Sequence, residues 1–373
     1  MGVKEIQAKS ILRKQKKIES WFISRYGMNL YRGCIHNCVY CDGRSEKYQV
    51  EGKFGEDVVV KVNVLELLRK ELDEKKRSIT RSGYVMVGGG VGDSYQPIEE
   101  KYLLTQRTLQ FLYEKNFPVH ILTKSTLVER DIELIKSINE KSKAIVSFSF
   151  SSTNDEISAI FEPGVPPPSE RLKTISRFKK EGIASGMFLL PVIPFITDIS
   201  TVMNETIKKA HEAGVDFIVF GGMTLKEGRQ TKYFYDVLSQ YYPDLLVDYS
   251  NIYRGDKWGN AVDNYYNSLN LLFNNIVKKY KIPKRIPPKL FHDILNENDR
   301  VIVILEHIDY LLKLNGRRSP YGYAAYMISK LTRPLSNMKG ELRSIKGVGE
   351  KTEKIILEIL DTGTSSYYEN LLV

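Results

Sequence analysis

All three cysteines of this 373-residue chain stand within eight residues, Cys34-Ile-His-Asn-Cys38-Val-Tyr-Cys41. A C-x3-C-x2-C run with no other sulfhydryl commits every thiol to one loop. Three thiolates can hold three irons of a [4Fe–4S] cluster and leave the fourth iron open to a ligand, as a reductive chemistry requires. Electron carriers of the ferredoxin type use four cysteines per cubane, and no fourth is present. Structural zinc is the alternative, with His36 completing a closed Cys3His set. Zinc sites usually pair two short ligand clusters far apart in sequence, and only scattered histidines lie elsewhere.

Charge is uneven. The net charge is +10, made of +6 over residues 1–50, −2 over 51–277 and +6 over 278–373. Two basic ends flanking a neutral centre suit an anionic partner, although a Lys-rich soluble surface would read the same way. The longest apolar stretch, Phe188–Ile196, is broken by Pro191 and Pro194 and falls far short of the ~20 residues of a membrane span. The N-terminus is polar and basic, without an apolar signal core. A chain with no spare cysteine and an oxygen-sensitive cluster suits a reducing cytoplasm, so no membrane partner is expected.

The cysteine spacing, with Tyr40 before the last cysteine, resembles the cluster motif of the radical S-adenosylmethionine (SAM) superfamily. The resemblance implies that the open iron binds the amino and carboxylate groups of SAM. The reduced cluster then breaks the sulfonium C–S bond, and a 5′-deoxyadenosyl radical takes a substrate hydrogen. An electron donor such as a flavodoxin or ferredoxin is implied as partner.

Short apolar runs at Gly27–Tyr31, Tyr84–Val87, Val119–Thr123, Ala144–Phe150, Ser185–Leu190 and Phe217–Phe220 read as strands. Helix-like stretches fall at residues 62–75, 98–115, 127–139, 169–181 and 201–213, the fourth opening on Ser169 as N-cap after Pro166-Pro167-Pro168. Repeated strand–helix alternation argues for a parallel sheet with right-handed crossovers. Six units are too few for an eight-fold barrel, so the expected fold is α/β, a partial (β/α)6 barrel of the kind the superfamily resemblance implies. In parallel α/β folds the chemistry sits at strand C-termini, and Cys34 follows the first strand. Beyond the basic, Pro-rich run Lys281–Lys289 the pattern becomes all helical, with helices expected at 300–314, 321–331, 335–345 and from Glu350. The expected organisation is a basic N-terminal extension (1–25), the partial barrel (26–232), a helical extension and Pro-rich linker (233–290), and an all-α C-terminal region (291–373).

Within that region, Leu342-Arg-Ser-Ile-Lys346-Gly347-Val-Gly349-Glu-Lys351-Thr-Glu-Lys354 resembles a helix-hairpin-helix (HhH) motif, placed over residues 335–361. Gly347 and Gly349 would permit the tight turn and close backbone approach. The helix N-terminus would point at a phosphate, with Lys346, Lys351 and Lys354 adding charge. Such a grip reads backbone rather than base sequence. Glu353 stands where the motif usually has a small residue.

Further segments resemble the spore photoproduct lyase and DNA repair photolyase branch of the superfamily. They are Asn29-Leu-Tyr-Arg-Gly-Cys34, Asp93-Ser-Tyr95-Gln-Pro97-Ile-Glu99, Leu122-Thr-Lys124, Ser147-Phe-Ser149, Phe161-Glu-Pro-Gly164 and Glu170-Arg171-Leu172, and the similarity spans about residues 25–225. The resemblance implies that Cys34, Cys38 and Cys41 hold the cluster and that Tyr40 lines the adenine. It implies that Gly88, Gly89 and Gly90 admit the methionyl end of SAM and that Asp93 accepts from its ammonium. Lys124, Ser149 and Arg171 are placed at its carboxylate or ribose. Two departures separate the chain from the lyases. Aligned through Asp93, their hydrogen-donor cysteine is Gly90 here, and the tyrosine after their last cluster cysteine is Asp42. Tyr95 is the substitute donor nearest in sequence.

The expected activity is therefore a SAM-radical enzyme repairing or modifying DNA or another nucleic acid. Two alternatives remain: a radical SAM enzyme that modifies a peptide or small molecule and docks through the hairpin, and a non-enzymatic zinc protein that binds nucleic acid.

Overall fold

The computed structural model describes residues 2–48, 50, 52–73, 79–89 and 91–373. Ten strands are β1 (Val3–Ile6), β2 (Leu12–Glu19), β3 (Ser24–Met28), β4 (Tyr31–Arg32), β5 (Val58–Lys61), β6 (Tyr84–Val87), β7 (Val119–Thr123), β8 (Ala144–Phe150), β9 (Ala184–Val192) and β10 (Phe217–Gly222). Seven form one open sheet in the order β10-β9-β8-β7-β6-β3-β2, and β1, β5 and β4 form a small second sheet. From β3 through β10 the neighbours in the large sheet run parallel. Six parallel strands make the curled half-barrel that the alternation implied.

One face of the sheet packs Val85, Val87, Ile121, Val146, Phe148, Met187 and Ile218 against the crossover helices. The other face is concave. There Tyr84, Ile145, Phe188, Phe217 and Val219 share a core with Ile302, Leu305, Ile356 and Tyr368 of the C-terminal helices. Two polar ties fix the union: the buried pair Arg25–Asp299 at 2.5 Å, and His307, whose Nε2 donates to the Ser20 carbonyl at 2.8 Å while Nδ1 accepts from the Tyr368 hydroxyl at 2.6 Å. The C-terminal helices thus close the concave face from below and leave the strand C-termini open above.

Within the basic N-terminal extension, residues 12–19 form the antiparallel edge strand β2 of the large sheet. Several sequence expectations are corrected. The helix expected over 98–115 breaks at Leu103 (φ +52) into Glu99–Tyr102 and Leu104–Glu114. The helix after the triple proline starts at Pro168, not after a Ser169 cap, because the missing proline N–H costs nothing in a first turn. The helix expected over 335–345 is two short 3-10 turns, Leu335–Met338 and Leu342–Ser344, on either side of Gly340. The helical extension after β10 covers the open edge of the sheet: Phe273 of Asp263–Tyr280 stacks on Phe220 of β10 with centroids 4.1 Å apart.

Candidate active site

The cysteine loop leaves β4 through Gly33 (φ +84) and is held from three sides. Gln96 accepts from Ile35 N at 3.0 Å and donates to the Gly33 carbonyl at 3.1 Å. Arg44 donates to the Cys38 and Asn37 carbonyls, each at 3.1 Å. The Phe161–Gly164 segment lies alongside: Val39 N donates to the Phe161 carbonyl at 2.8 Å, and Gly164 N to the His36 carbonyl at 3.0 Å. A Cβ on Gly164 would sit 2.6 Å from the Ile35 carbonyl oxygen, so the contact requires glycine. Asp42 ties the far end of the loop to the segment after β10, accepting from Lys226 Nζ at 2.7 Å and Thr224 Oγ1 at 2.8 Å.

Cys34, Cys38 and Cys41 are free thiols facing a common cavity of about 130 Å³, whose wall continues through Gly89, Asp93, Lys124 and Ser149. Burial pushes all three thiols up, Cys38 to about 12 even though Lys124 pulls the other way. A ligand that stabilises thiolates there has to be positively charged or a metal centre. Three soft sulfur donors with a bare glycine opposite fit an iron–sulfur cluster with one iron left for a small ligand.

The same geometry disfavours the Cys3His zinc alternative. His36 Nδ1 donates to the Gly164 carbonyl at 2.9 Å, and its Nε2 faces Asp93 Oδ2 at 3.2 Å. Nδ1 is thereby committed to the backbone, and Nε2, though His36 lines the same cavity as the thiols, faces a carboxylate.

The remaining expected site residues divide. Asp93, Lys124, Ser149 and Gly89 do line the cavity. Asp93, however, already accepts from Tyr95 N (2.8 Å), Thr123 Oγ1 (2.7 Å) and Lys124 N (2.7 Å). Burial works to raise its pKa, and His36 with these donors outweighs that. It stands as an ionised latch between the strand ends. Gly88 (φ +80) lies beneath the wall, where a Cβ would collide with the Leu122 carbonyl of the next strand. Gly90 lies outside the described residues.

Tyr40, Arg171 and Tyr95 are not on the cavity wall. Tyr40 is buried and donates to Glu162. Arg171 is fully buried, pairing with Glu162 at 2.5 Å and donating to the Ser149 carbonyl at 2.7 Å. Tyr95 is fully buried, and its hydroxyl donates to Asp131 at 3.0 Å, so the expectation of a hydrogen donor there is corrected.

Sequence reasoning missed Glu162. Its side chain is fully buried and meets Lys124 Nζ at 2.9 Å, Arg171, Tyr40 and the Ser158 hydroxyl. Burial alone would raise its pKa, but Arg171, then Lys124 and Tyr40, hold it well below the usual carboxylate range. The signal available was a lone acid between Phe161 and Pro163 in a run already singled out.

At the other end of the molecule the helix Glu350–Thr362 starts from Gly349, and Gly347 (φ +89) makes the turn before it. A Cβ on Gly349 would meet nothing within 4 Å, so the helix N-terminus is open. Lys346 and Lys351 are exposed and among the described residues enter no ion pair. Lys354 pairs with Glu350 at 2.9 Å, and Glu353 with Arg343 at 2.5 Å.

This fold and loop define a class. The chain belongs to the Radical SAM superfamily, whose pattern matches residues 28–203, and residues 296–365 match a helix-hairpin-helix domain. It is 31% identical over 254 residues to the uncharacterized protein Rv2578c of Mycobacterium tuberculosis, covering 67% of this chain and 73% of that protein. It is 31% identical over 229 residues to the uncharacterized protein MJ0683 of Methanocaldococcus jannaschii, covering 61% and 80%. Among solved structures, a spore photoproduct lyase mutant superposes with a TM-score of 0.56 at 16% identity over 75% of this chain and 79% of that one. A double mutant of that lyase with bound AdoMet and dinucleoside spore photoproduct gives 0.53 at 17% over 72% and 78%. At such identities the likeness is one of fold. The superfamily generally works with a [4Fe–4S] cluster and SAM.

Proposed function

We propose that the chain is a radical SAM enzyme acting on DNA or another nucleic acid. The observation that carries the chemistry is the convergence of Cys34, Cys38 and Cys41 with Gly89, Asp93, Lys124 and Ser149 on one cavity at the C-terminal edge of the parallel sheet. The three cysteines would hold a [4Fe–4S] cluster and leave one iron to the amino and carboxylate groups of SAM. When bound, cluster and SAM supply a 5′-deoxyadenosyl radical that takes a hydrogen atom from the substrate.

The chain's own residues bind and orient. Lys124 offers an ammonium and Ser149 a hydroxyl beside the thiols, while Gly89 lets a ligand approach main chain. Asp93 fixes the ends of β6 and β7 relative to the loop through His36, Thr123 and Lys124. Glu162 keeps Lys124 beside Cys38 and Arg171 beneath Ser149. An electron donor of the flavodoxin or ferredoxin kind would reduce the cluster. Among the described residues no helix is long and apolar enough to cross a membrane; an oxygen-sensitive cluster and the lack of spare cysteines favour a reducing cytoplasm.

The nucleic-acid assignment rests on the HhH match and on Lys346 and Lys351 beside an open helix N-terminus. The lyase to which the fold is similar is known with a dinucleoside spore photoproduct, which makes ultraviolet-irradiated DNA the first substrate to try. The test is 5′-deoxyadenosine formation by anaerobic enzyme with SAM and dithionite, with and without irradiated and intact DNA. DNA should raise the rate above the slow uncoupled rate. A rate indifferent to every nucleic acid would favour the peptide or small-molecule reading.

A further inference from the structure

A second concavity of about 470 Å³ lies on the concave face beside the cysteine cavity, and the two share Gly89. Its volume is that of a small-ligand site. Its construction follows from strand register. Arg13 of β2 stands directly opposite Gly27 of β3, and Gly27 is in register with Met86 of β6, so the three share one face. A glycine inside a strand usually loosens it and often marks close approach by a ligand. Gly27 fits that description, because it has no positive φ and a Cβ there would meet nothing within 4 Å. The empty space above Gly27 serves neither the backbone conformation nor the packing.

The far wall comes from the small sheet. Arg32 of β4 pairs with Val59 of β5, and Lys61, two residues on, lies on the same face. Arg13, Arg32 and Lys61 all line the groove, and among the described residues none enters an ion pair. Burial, and then Arg32, hold the Lys61 ammonium below its usual range. The acid in the groove is Glu19, whose carboxylate accepts from Trp21 N and Phe22 N, each at 3.1 Å. Three cations outnumber that one carboxylate, and although the Lys61 ammonium also donates to the Asn29 carbonyl at 2.5 Å, the groove beside the bare strand is net positive and suits an anion.

We propose that this groove binds a phosphate of the substrate and holds the attached nucleoside toward Gly89 and the cysteine cavity. The proposal deepens the nucleic-acid reading and rests on it for the identity of the ligand. The site is separate from the hairpin, since its cations come from β2, β4 and β5. Arg13, Arg32 and Lys61 grip the phosphate, and Gly27 gives the room.

The experiment is anaerobic binding to the full-length protein of two probes, a fluorescent single-stranded oligodeoxynucleotide and a deoxynucleoside monophosphate, with SAM binding measured in parallel. The variants are Arg32→Gln, Lys61→Gln and Gly27→Leu, the last filling the groove without removing charge. Each should weaken at least one phosphate-bearing probe about fivefold or more. The two Gln variants should also each flatten the salt dependence of oligonucleotide binding by about 0.7 in log–log slope, with SAM affinity unchanged. Unchanged affinity for both probes in all three variants overturns the groove while leaving hairpin-based DNA binding untouched. A wild-type protein that binds neither probe overturns it as well, and variants that lose SAM rather than the phosphate probes reassign the groove to SAM. If the monophosphate binds through the groove but the oligonucleotide does not bind at all, the groove stands and the nucleic-acid reading falls.

Discussion

Lys124 Nζ lies 2.9 Å from Oε1 of Glu162, a carboxylate with no exposed side-chain surface. That pair joins the C-terminal end of β7 to the segment that cradles the cysteine loop, and Arg171 and Tyr40 complete it. Removing one partner of a buried charge pair leaves the others desolvated and uncompensated.

Glu162→Ala should therefore destabilise the fold by about 3–5 kcal/mol in urea unfolding near neutral pH. The pH dependence has a definite sign. Because the folded carboxyl titrates below its ordinary value of 4.5, its contribution is fully present above about pH 4.5 and is lost as pH falls further. Glu162→Gln should remove that acid-limb dependence. An unchanged midpoint in both variants would dismiss the network.

Two buried histidines set a second pH limb. Burial lowers His120 to about 4 against a bond to the Phe22 carbonyl, and lowers His307 to about 3 with Arg285 adding to it. Each unfolded imidazole takes a proton below about pH 6.5 that the folded one refuses. Stability should then fall by about 1.4 kcal/mol per pH unit per histidine between pH 6 and 4. His307→Phe should flatten the slope measured by urea titration at pH 7 and 5. An equal slope in the variant would count against the neutral buried form.

How much of this was legible in the sequence differs by element. β6 to β10 announce themselves as apolar runs because both faces of a parallel sheet are covered. β2 does not, since Leu-Arg-Lys-Gln-Lys-Lys-Ile-Glu is an edge strand, and edge strands carry charge. The cluster motif could be read outright. The motif residues Asp93, Tyr95, Gln96, Glu99, Gly164 and Arg171 were legible as a group, but the structure gives most of them positioning contacts to the loop and strand ends. Such roles need partners distant in sequence, which spacing cannot supply. Glu162 stayed hidden for that reason: two of its partners, Lys124 and Tyr40, are 38 and 122 residues away.

For ligand binding, Lys124→Ala should weaken SAM by about 1–3 kcal/mol, the usual loss of a charge-assisted hydrogen bond. Equilibrium dialysis under anaerobic conditions measures it. Glu162 retains Arg171 as partner in that variant, so the fold should persist. Unaltered SAM affinity would remove Lys124 from the site.

For the hairpin, charge reversal is the sounder test than truncation. Deleting residues 335–373 would strip Ile356 and Tyr368 from the core shared with Ile145 and Phe217 and would be expected to unfold more than the tail. Lys346→Glu with Lys351→Glu touches two exposed side chains instead. DNA affinity should drop and its salt slope should fall by about 1.5 to 2, with deoxyadenosine formation in the absence of DNA unaltered. Equal affinity and slope would make the hairpin a structural cap.

The central claim is that Cys34, Cys38 and Cys41 hold an iron–sulfur cluster that activates SAM. Its most direct test is iron, sulfide and zinc analysis of anaerobically purified protein, together with the spectrum of the reduced protein before and after SAM. The expected result is about four irons and four sulfides per chain, a spectral change on adding SAM, and loss of both in any of the three Cys→Ala variants. Stoichiometric zinc without sulfide, or iron and sulfide undiminished in the variants, would contradict it.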